Sequence, residues 1–225
     1  MPNEQQLGGD EFAQYLKGAQ VARGVAEVIV HHTESPTAAQ YRGISTVAAV
    51  RRYHMEVRGW SDNGYHLMIG PGGEIFRCRP LERAGGHCLG HNEHSVGVSF
   101  IANFDEEDPA GYAGWRTGQM VVAAVLQRFG LGVDRLHFHR EFADKTCPGT
   151  KLDLVSFRAQ VQAILDGERD GATRVVLLPG SNLIPCRARV EGDVTRVDLR
   201  PLAEALGFEA VDHLREEGKV YLRKR

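Results

Sequence analysis

The sequence predicts an α/β protein: strands alternating with helices over roughly the first 165 residues, then a smaller α+β unit. Three observations carry this. GVAEVIVHHTES gathers Val and Ile between Val25 and Val30, as in a strand buried on both faces, and stops in polar residues. SVGVSFIANF, beginning at Ser95, is a second such strand, and segments of helical character separate the strands. DGERDGAT, residues 166–173, is polar, charged and Gly-bearing, and reads as a linker.

In chain order, residues 9–20 form a short helix with Phe12 and Leu16 on its apolar side. The Val25–Val30 strand follows and leaves His31 and His32 at its C-terminal end, where open α/β sheets bind ligands. Ser45 is placed to N-cap a helix from Thr46 to His54, stopped by Gly59. YHLMIGPGGEIFRCR is a hairpin around Pro71-Gly72-Gly73. Thr117 opens a helix, Gln119 to Phe129, closed by Gly130; LHFH is a short strand, and a last helix covers about 152–165. Beyond the linker, RVVLLPG, LIPCRARVEG, FEAVDH and KVYLRK read as strands around a helical LRPLAEALG, a ββαββ unit over 174–225.

Composition narrows the function. The chain is 42% hydrophobic and 25% charged with net charge −2, which lacks the basic excess of a nucleic-acid binder. No window approaches the ~18 apolar residues of a membrane span. The first twenty residues lack the basic start and apolar core of a secretory signal, so synthesis in the cytoplasm is expected. Of 10 His, all but His213 lie between His31 and His139, which points to a metal or proton-transfer site there. The 4 Cys are too sparse for a disulfide scaffold.

His139 and Cys147 stand in HREFADKTCPG. Imidazole nitrogen and thiolate sulfur both suit zinc, but the stretch has neither a CxxC pair nor an HExxH helix. That disfavours a closed four-ligand site. An open three-ligand site remains, if His31 or His32 joins His139 and Cys147.

Four segments, VIVHHTES, RGWSDNGYHLMIGPGGEIF, AGGHCLGHNEHSVGVSFIANF and HFHREFADKTCPGTKLDL, make residues 24–165 resemble the zinc N-acetylmuramoyl-L-alanine amidases. That superfamily includes the amidase-type phage lysozymes and the peptidoglycan recognition proteins. The resemblance implies a mixed central β-sheet flanked by helices, a groove, and one Zn2+ at its floor. It implies a catalytic domain over 1–165 that hydrolyses the amide between the lactyl group of N-acetylmuramic acid and L-alanine in peptidoglycan or muropeptides. It makes His31, the first His of its motif, a metal ligand with His139 and Cys147, and makes Tyr65 and Lys145 catalytic. Lys145 matches the phage-lysozyme type, since recognition proteins often carry Thr there. The Val98-Ser99-Phe100 strand offers no Glu as a carboxylate base. His32, a neighbour of the site rather than a ligand, is grouped with His87 and Asn92 as substrate-binding.

Other conspicuous residues have plainer readings. His54 reads as a core or helix-face residue. His66, alternating with Tyr65, faces away from the metal. His94 and Ser95 shape a turn, and Trp60 packs in the core or lines the groove. Cys78 and Cys88 read as free thiols and Cys186 as a buried strand residue. The tail resembles the stalk-type domain first named in copper amine oxidases, without a copper site; wall binding, docking and oligomerisation stay open for it. Three functions stand: a peptidoglycan-cutting zinc amidase acting on the wall after release, a binding module that does not cut, and a cytoplasmic amidase recycling soluble muropeptides. The complete ligand set favours an enzyme.

Overall fold

The computed structural model describes residues 4–169, 173–177, 183–191, 194–197, 208–210 and 222–224. The chain forms two compact units, Met1–Gln162 and Ala163–Arg225.

The first unit is built on a six-stranded mixed sheet. Its elements are β1 (Gln5–Leu7), α1 (Gly9–Gly18), β2 (Glu27–His32), α2 (Ile44–Arg52), β3 (Leu67–Ile69), β4 (Ile75–Arg77), β5 (Ser95–Phe100), α3 (Trp115–Arg128), β6 (Leu136–Phe138) and the first half of α4 (Leu154–Arg169). The strand order is β1-β4-β3-β5-β2-β6. β3, β5, β2 and β6 run parallel; at one edge β4 pairs antiparallel with β3, and β1 pairs antiparallel with β4.

Burial explains the composition of the central strands. Every residue of β2 and of β5 is buried, as expected where helices cover both faces of a parallel sheet. Strand alternation separates the two layers. Ile101 joins Val47 and Val50 of α2 and Met68 and Phe76 of the hairpin in one apolar cluster. Its neighbour Phe100 meets α3, where a Cβ on Gly118 would lie 2.1 Å from the Phe100 ring. Trp115 stands 5.3 Å from Phe100 and 5.2 Å from Phe157, joining α3 and α4 to this second layer.

The hairpin forms where the sequence places it. Gly73 adopts φ 94°, Gly70 N–H donates to Glu74 C=O, and Glu74 Oε2 accepts from Gly72 N–H. At α2 the structure differs from the sequence reading. The cap is Gly43, at φ 68°, and Ser45 lies inside the first turn with its hydroxyl donating to Arg42 C=O. Thr46 Oγ1 takes the Arg42 N–H instead. The helix then widens into a π-type turn over Tyr53–Val57, which buries His54. α4 runs to Arg169, through the first residues of the stretch read as linker. β1 has no counterpart in the sequence reading.

The second unit holds β7 (Thr173–Leu177), β8 (Leu183–Glu191) and β9 (Val194–Val197) in one antiparallel sheet, and β10 (Phe208–Ala210) paired with β11 (Leu222–Lys224). β9 was not anticipated. The helix expected at LRPLAEALG lies outside the described residues, as does the environment of the Cys186 side chain on β8. Among the described residues, no helix is long and apolar enough to cross a membrane.

Candidate metal centre and groove

Parallel pairing of β2 with β6 puts Val30 opposite Phe138. Both strands therefore run to the same end of the sheet, and the residues after this pair, His31 within β2 and His139 just beyond β6, come side by side. Their ring centroids are 4.6 Å apart. Cys147 Sγ completes the cluster 3.6 Å from His31 Nδ1. One donor atom from each of His31, His139 and Cys147 lies within 4.8 Å of the others, so the three residues predicted as ligands can hold a metal ion. His31 and Cys147 are buried and His139 is half-buried.

The loop from His139 to Cys147 is tied down at both ends. Arg140 N–H donates to Cys147 C=O, and the Arg140 guanidinium donates to Gly149 C=O at 2.7 Å. Asp105 accepts from Thr146 Oγ1 at 2.7 Å and from Thr150 N–H at 2.8 Å, bracketing Cys147. Burial alone would raise the Asp105 carboxyl, but these Thr146 and Thr150 bonds hold it below its ordinary value. Sequence reasoning missed Arg140 and Asp105. Their partners are backbone and hydroxyl groups that no motif advertises.

Period-two alternation sends His31 and His32 to opposite faces of β2. His32 Nδ1 accepts the Phe104 N–H at 3.1 Å, and its Nε2 faces Asp105 at 3.9 Å. His31 Nε2 lies 3.0 Å from His87 Nδ1, and His87 Nε2 lies 3.3 Å from Ser95 Oγ. Were His31 Nδ1 to ligate a metal it would carry no proton, and His31 would donate from Nε2 to His87, which would donate from its own Nε2 to Ser95. The Ser95 hydroxyl donates to His91 C=O at 2.7 Å.

This placement differs from the substrate-binding role expected of His32, His87 and Asn92. His32 and His87 are buried. Asn92 Oδ1 accepts from the backbone N–H of both His87 and Cys88, so it braces the loop. None of the three lines the groove. His87 could be aimed at His31 only because it packs on bare backbone: a Cβ on Gly85 or Gly97 would fall 2.4 or 2.5 Å from its ring.

The groove itself is about 830 Å³ and is lined by Arg42, Tyr53, Arg58, Trp60, Tyr65 and Lys145, among others. Tyr65 stands 5.2 Å from the His31 ring. Its position is set by the WSDNGY turn. Tyr65 N–H donates to Asn63 Oδ1, Gly64 N–H donates to His54 Nδ1, and the buried Arg79 donates to Asn63 C=O. His54 in turn stacks on Trp60 at 4.7 Å. Lys145 is exposed at the groove, close enough to bias His139 and Cys147 electrostatically. His66 stays out of the cluster: Nδ1 accepts the Gly97 N–H and Nε2 meets Arg83 C=O. Cys78 and Cys88 are free thiols.

Protonation favours ligation on one side and opposes it on the other. Burial, then the neighbouring His87 and His139, keep His31 far below its ordinary pKa, and burial lowers His139 to about 4. Both imidazoles are neutral, as ligands must be. Burial pushes the Cys147 thiol up to about 12, against the pull of Lys145 and of a bond to His32 C=O. A cation in the cluster would reverse that preference.

Fold and site together define an α/β protein in which three potential metal donors converge beside a groove. Residues 22–150 match the profile of the family described as N-acetylmuramoyl-L-alanine amidase, and the chain belongs to that family. Peptidoglycan-recognition protein SC1a of Drosophila melanogaster is 30% identical over 136 residues, 55% of this chain and 68% of its own length. The human N-acetylmuramoyl-L-alanine amidase is 31% identical over 128 residues, 55% of this chain but 22% of the human protein. Among solved structures, Drosophila PGRP-LB superposes with a TM-score of 0.51 at 26% identity, over 59% of this chain and 79% of that one. An endolysin amidase of Clostridium intestinale shares the fold, with a TM-score of 0.51 over 62% of this chain and 85% of that one at 24% identity. The expected mixed sheet flanked by helices is thus the fold observed.

Proposed function

We propose that this chain is a zinc-dependent N-acetylmuramoyl-L-alanine amidase that hydrolyses the amide between N-acetylmuramic acid and L-alanine in peptidoglycan. The observation that carries the reading is the convergence of His31, His139 and Cys147 beside the groove end where Tyr65 and Lys145 stand. Two imidazoles and a thiolate suit zinc, and a three-residue set leaves a coordination position open. When bound, zinc supplies a Lewis acid that acidifies water and polarises an amide carbonyl.

The chain's own groups do the rest. The Lys145 ammonium is placed to stabilise negative charge developing on the carbonyl oxygen; one such donor is typically worth about 3–4 kcal/mol. Burial, with the nearby Cys147, holds the Tyr65 hydroxyl protonated, so it acts as a hydrogen-bond donor to the same oxygen. His87 holds the His31 ring in one tautomer. The groove, with Arg42 and Arg58 among its walls, accommodates the glycan and stem peptide. Two solved structures support this substrate class: a Tyr-to-Phe mutant of Drosophila PGRP-LB and PGRP-LE each hold tracheal cytotoxin, for PGRP-LE described as a monomeric diaminopimelic acid-type peptidoglycan.

Mass spectrometry of products from purified sacculi, with and without chelator, tests the bond and the metal together. The expected products are stem peptides with free N-terminal L-alanine, abolished by chelator and by Cys147→Ser. A folded, metal-loaded protein that binds sacculi and releases nothing would overturn the reading in favour of a binding module.

A further inference from the structure

A second set of donors lies at the other end of the same strand. β2 begins at Glu27, on the face that also carries His31. Glu27 Oε1 is 2.6 Å from His91 Nδ1 and 3.4 Å from His94 Nε2, and one donor atom from each of the three lies within 4.8 Å of the others. Among the described residues, these two imidazoles are the basic side chains within 4.0 Å of the Glu27 carboxylate.

We propose that Glu27, His91 and His94 form a second metal site, taking one divalent transition-metal ion of the zinc type. Two nitrogens and one carboxylate oxygen suit Zn2+, Ni2+ or Cu2+, whereas Ca2+ and Mg2+ require oxygen shells. Bonds of ~2.1 Å in a tetrahedral shell put donors ~3.4 Å apart. The Glu27–His94 separation already has that value. The Glu27–His91 contact opens by less than ~1 Å to reach it.

The ligands are held in advance. The His91 ring stacks on Phe142 at 3.8 Å, and its carbonyl accepts from Ser95 Oγ. The His94 carbonyl accepts from Ala26 N–H, next to Glu27. Glu27 is fixed by its place in the sheet, paired in register with Ser95. The His94 side chain is 43% exposed, which gives an ion its way in. An ion here clamps the loop 85–94 to the start of β2. Because Ser95 Oγ contacts both His91 C=O and His87 Nε2, the clamp secures the base on which His87 holds His31.

The proposal stands apart from the amidase reading, and the test separates them. The full chain is dialysed against buffered low-micromolar Zn2+ and bound metal is counted by mass spectrometry. Two ions per chain are expected in the wild type. One is expected in Cys147→Ser and one in His94→Ala or in Glu27→Gln, which keeps the side-chain volume. In the Co2+-loaded protein, His94→Ala should retain the thiolate charge-transfer band and Cys147→Ser should lose it while keeping weaker d–d absorption. A wild type that binds one ion, unchanged in His94→Ala and Glu27→Gln, would overturn the proposal. One ion that survives Cys147→Ser and is lost in His94→Ala would sustain it and overturn the metal assignment at Cys147.

Discussion

Replacing His87 by Ala tests how the cluster at the end of β2 is held. His87 is buried, and its Nδ1 lies 3.0 Å from His31 Nε2, where it would accept if His31 ligates a metal through Nδ1. Its ring rests on Gly85 and Gly97, which have no side chains to fill the space it leaves. The substitution strands a buried N–H, a cost of about 1–3 kcal/mol. It also frees the His31 ring to rotate away from Cys147. Loss of such an outer partner typically lowers metal affinity by about 10–100-fold, or about 1.4–2.7 kcal/mol. His87→Asn should restore most of the affinity, because its Oδ1 can occupy the acceptor position of Nδ1. Competition against a chromophoric chelator gives the affinity, and urea unfolding of the metal-free protein gives the stability. Wild-type affinity in His87→Ala would refute the reasoning, since among the described residues His87 is the hydrogen-bond partner of His31 Nε2.

Lys145→Ala should leave stability within ~0.5 kcal/mol and metal content unchanged, because the side chain is exposed; kcat on muropeptide should fall by about 10²–10³-fold, and an unchanged kcat would remove Lys145 from the reaction. Acid should destabilise the metal-free protein through His66 and His54. Burial, followed for His66 by Arg23, lowers them to about 3 and about 4, so the unfolded chain binds more protons once the pH drops below ~6.5. Stability is therefore retained above that pH and lost below it, by about 2–3 kcal/mol per group at pH ~4.5. Urea unfolding across this range should show the loss, and His66→Asn should shallow it; a flat profile would contradict the buried, neutral assignment.

The parts of the fold that the sequence revealed are those whose cause is local. Val and Ile runs mark β2 and β5, and Pro71-Gly72-Gly73 marks the hairpin. β1 was hidden because Gln5-Gln6-Leu7 gains its strand geometry from pairing with β4, seventy residues on, and carries one buried side chain. The cap of α2 was misread because Gly43 is selected by a positive φ, which leaves no polar signature, while Ser45 carries one. His31, His139 and Cys147 were picked out as a set by motif resemblance, and the approach of the two imidazoles follows from the β2–β6 register. The pairing of His87 with His31 was not legible, because a polar residue in a loop suggests a ligand contact and its partner is fifty-six residues away. The Glu27 cluster was unreadable for the same reason, with its carboxylate on a strand and its imidazoles in a loop.

His31 and Cys147 meet although 116 residues separate them along the chain. An ion bonded to both acts as a reversible cross-link, closing most of the first unit into one loop as a disulfide would. Unlike a disulfide, it is governed by mass action: every tenfold rise in free ion above its dissociation constant adds about 1.4 kcal/mol to the folded state. On the proposed metal assignment, chelation would do more than stop a reaction. It would loosen the chain toward proteolysis and make metal supply a determinant of how long the molecule lasts.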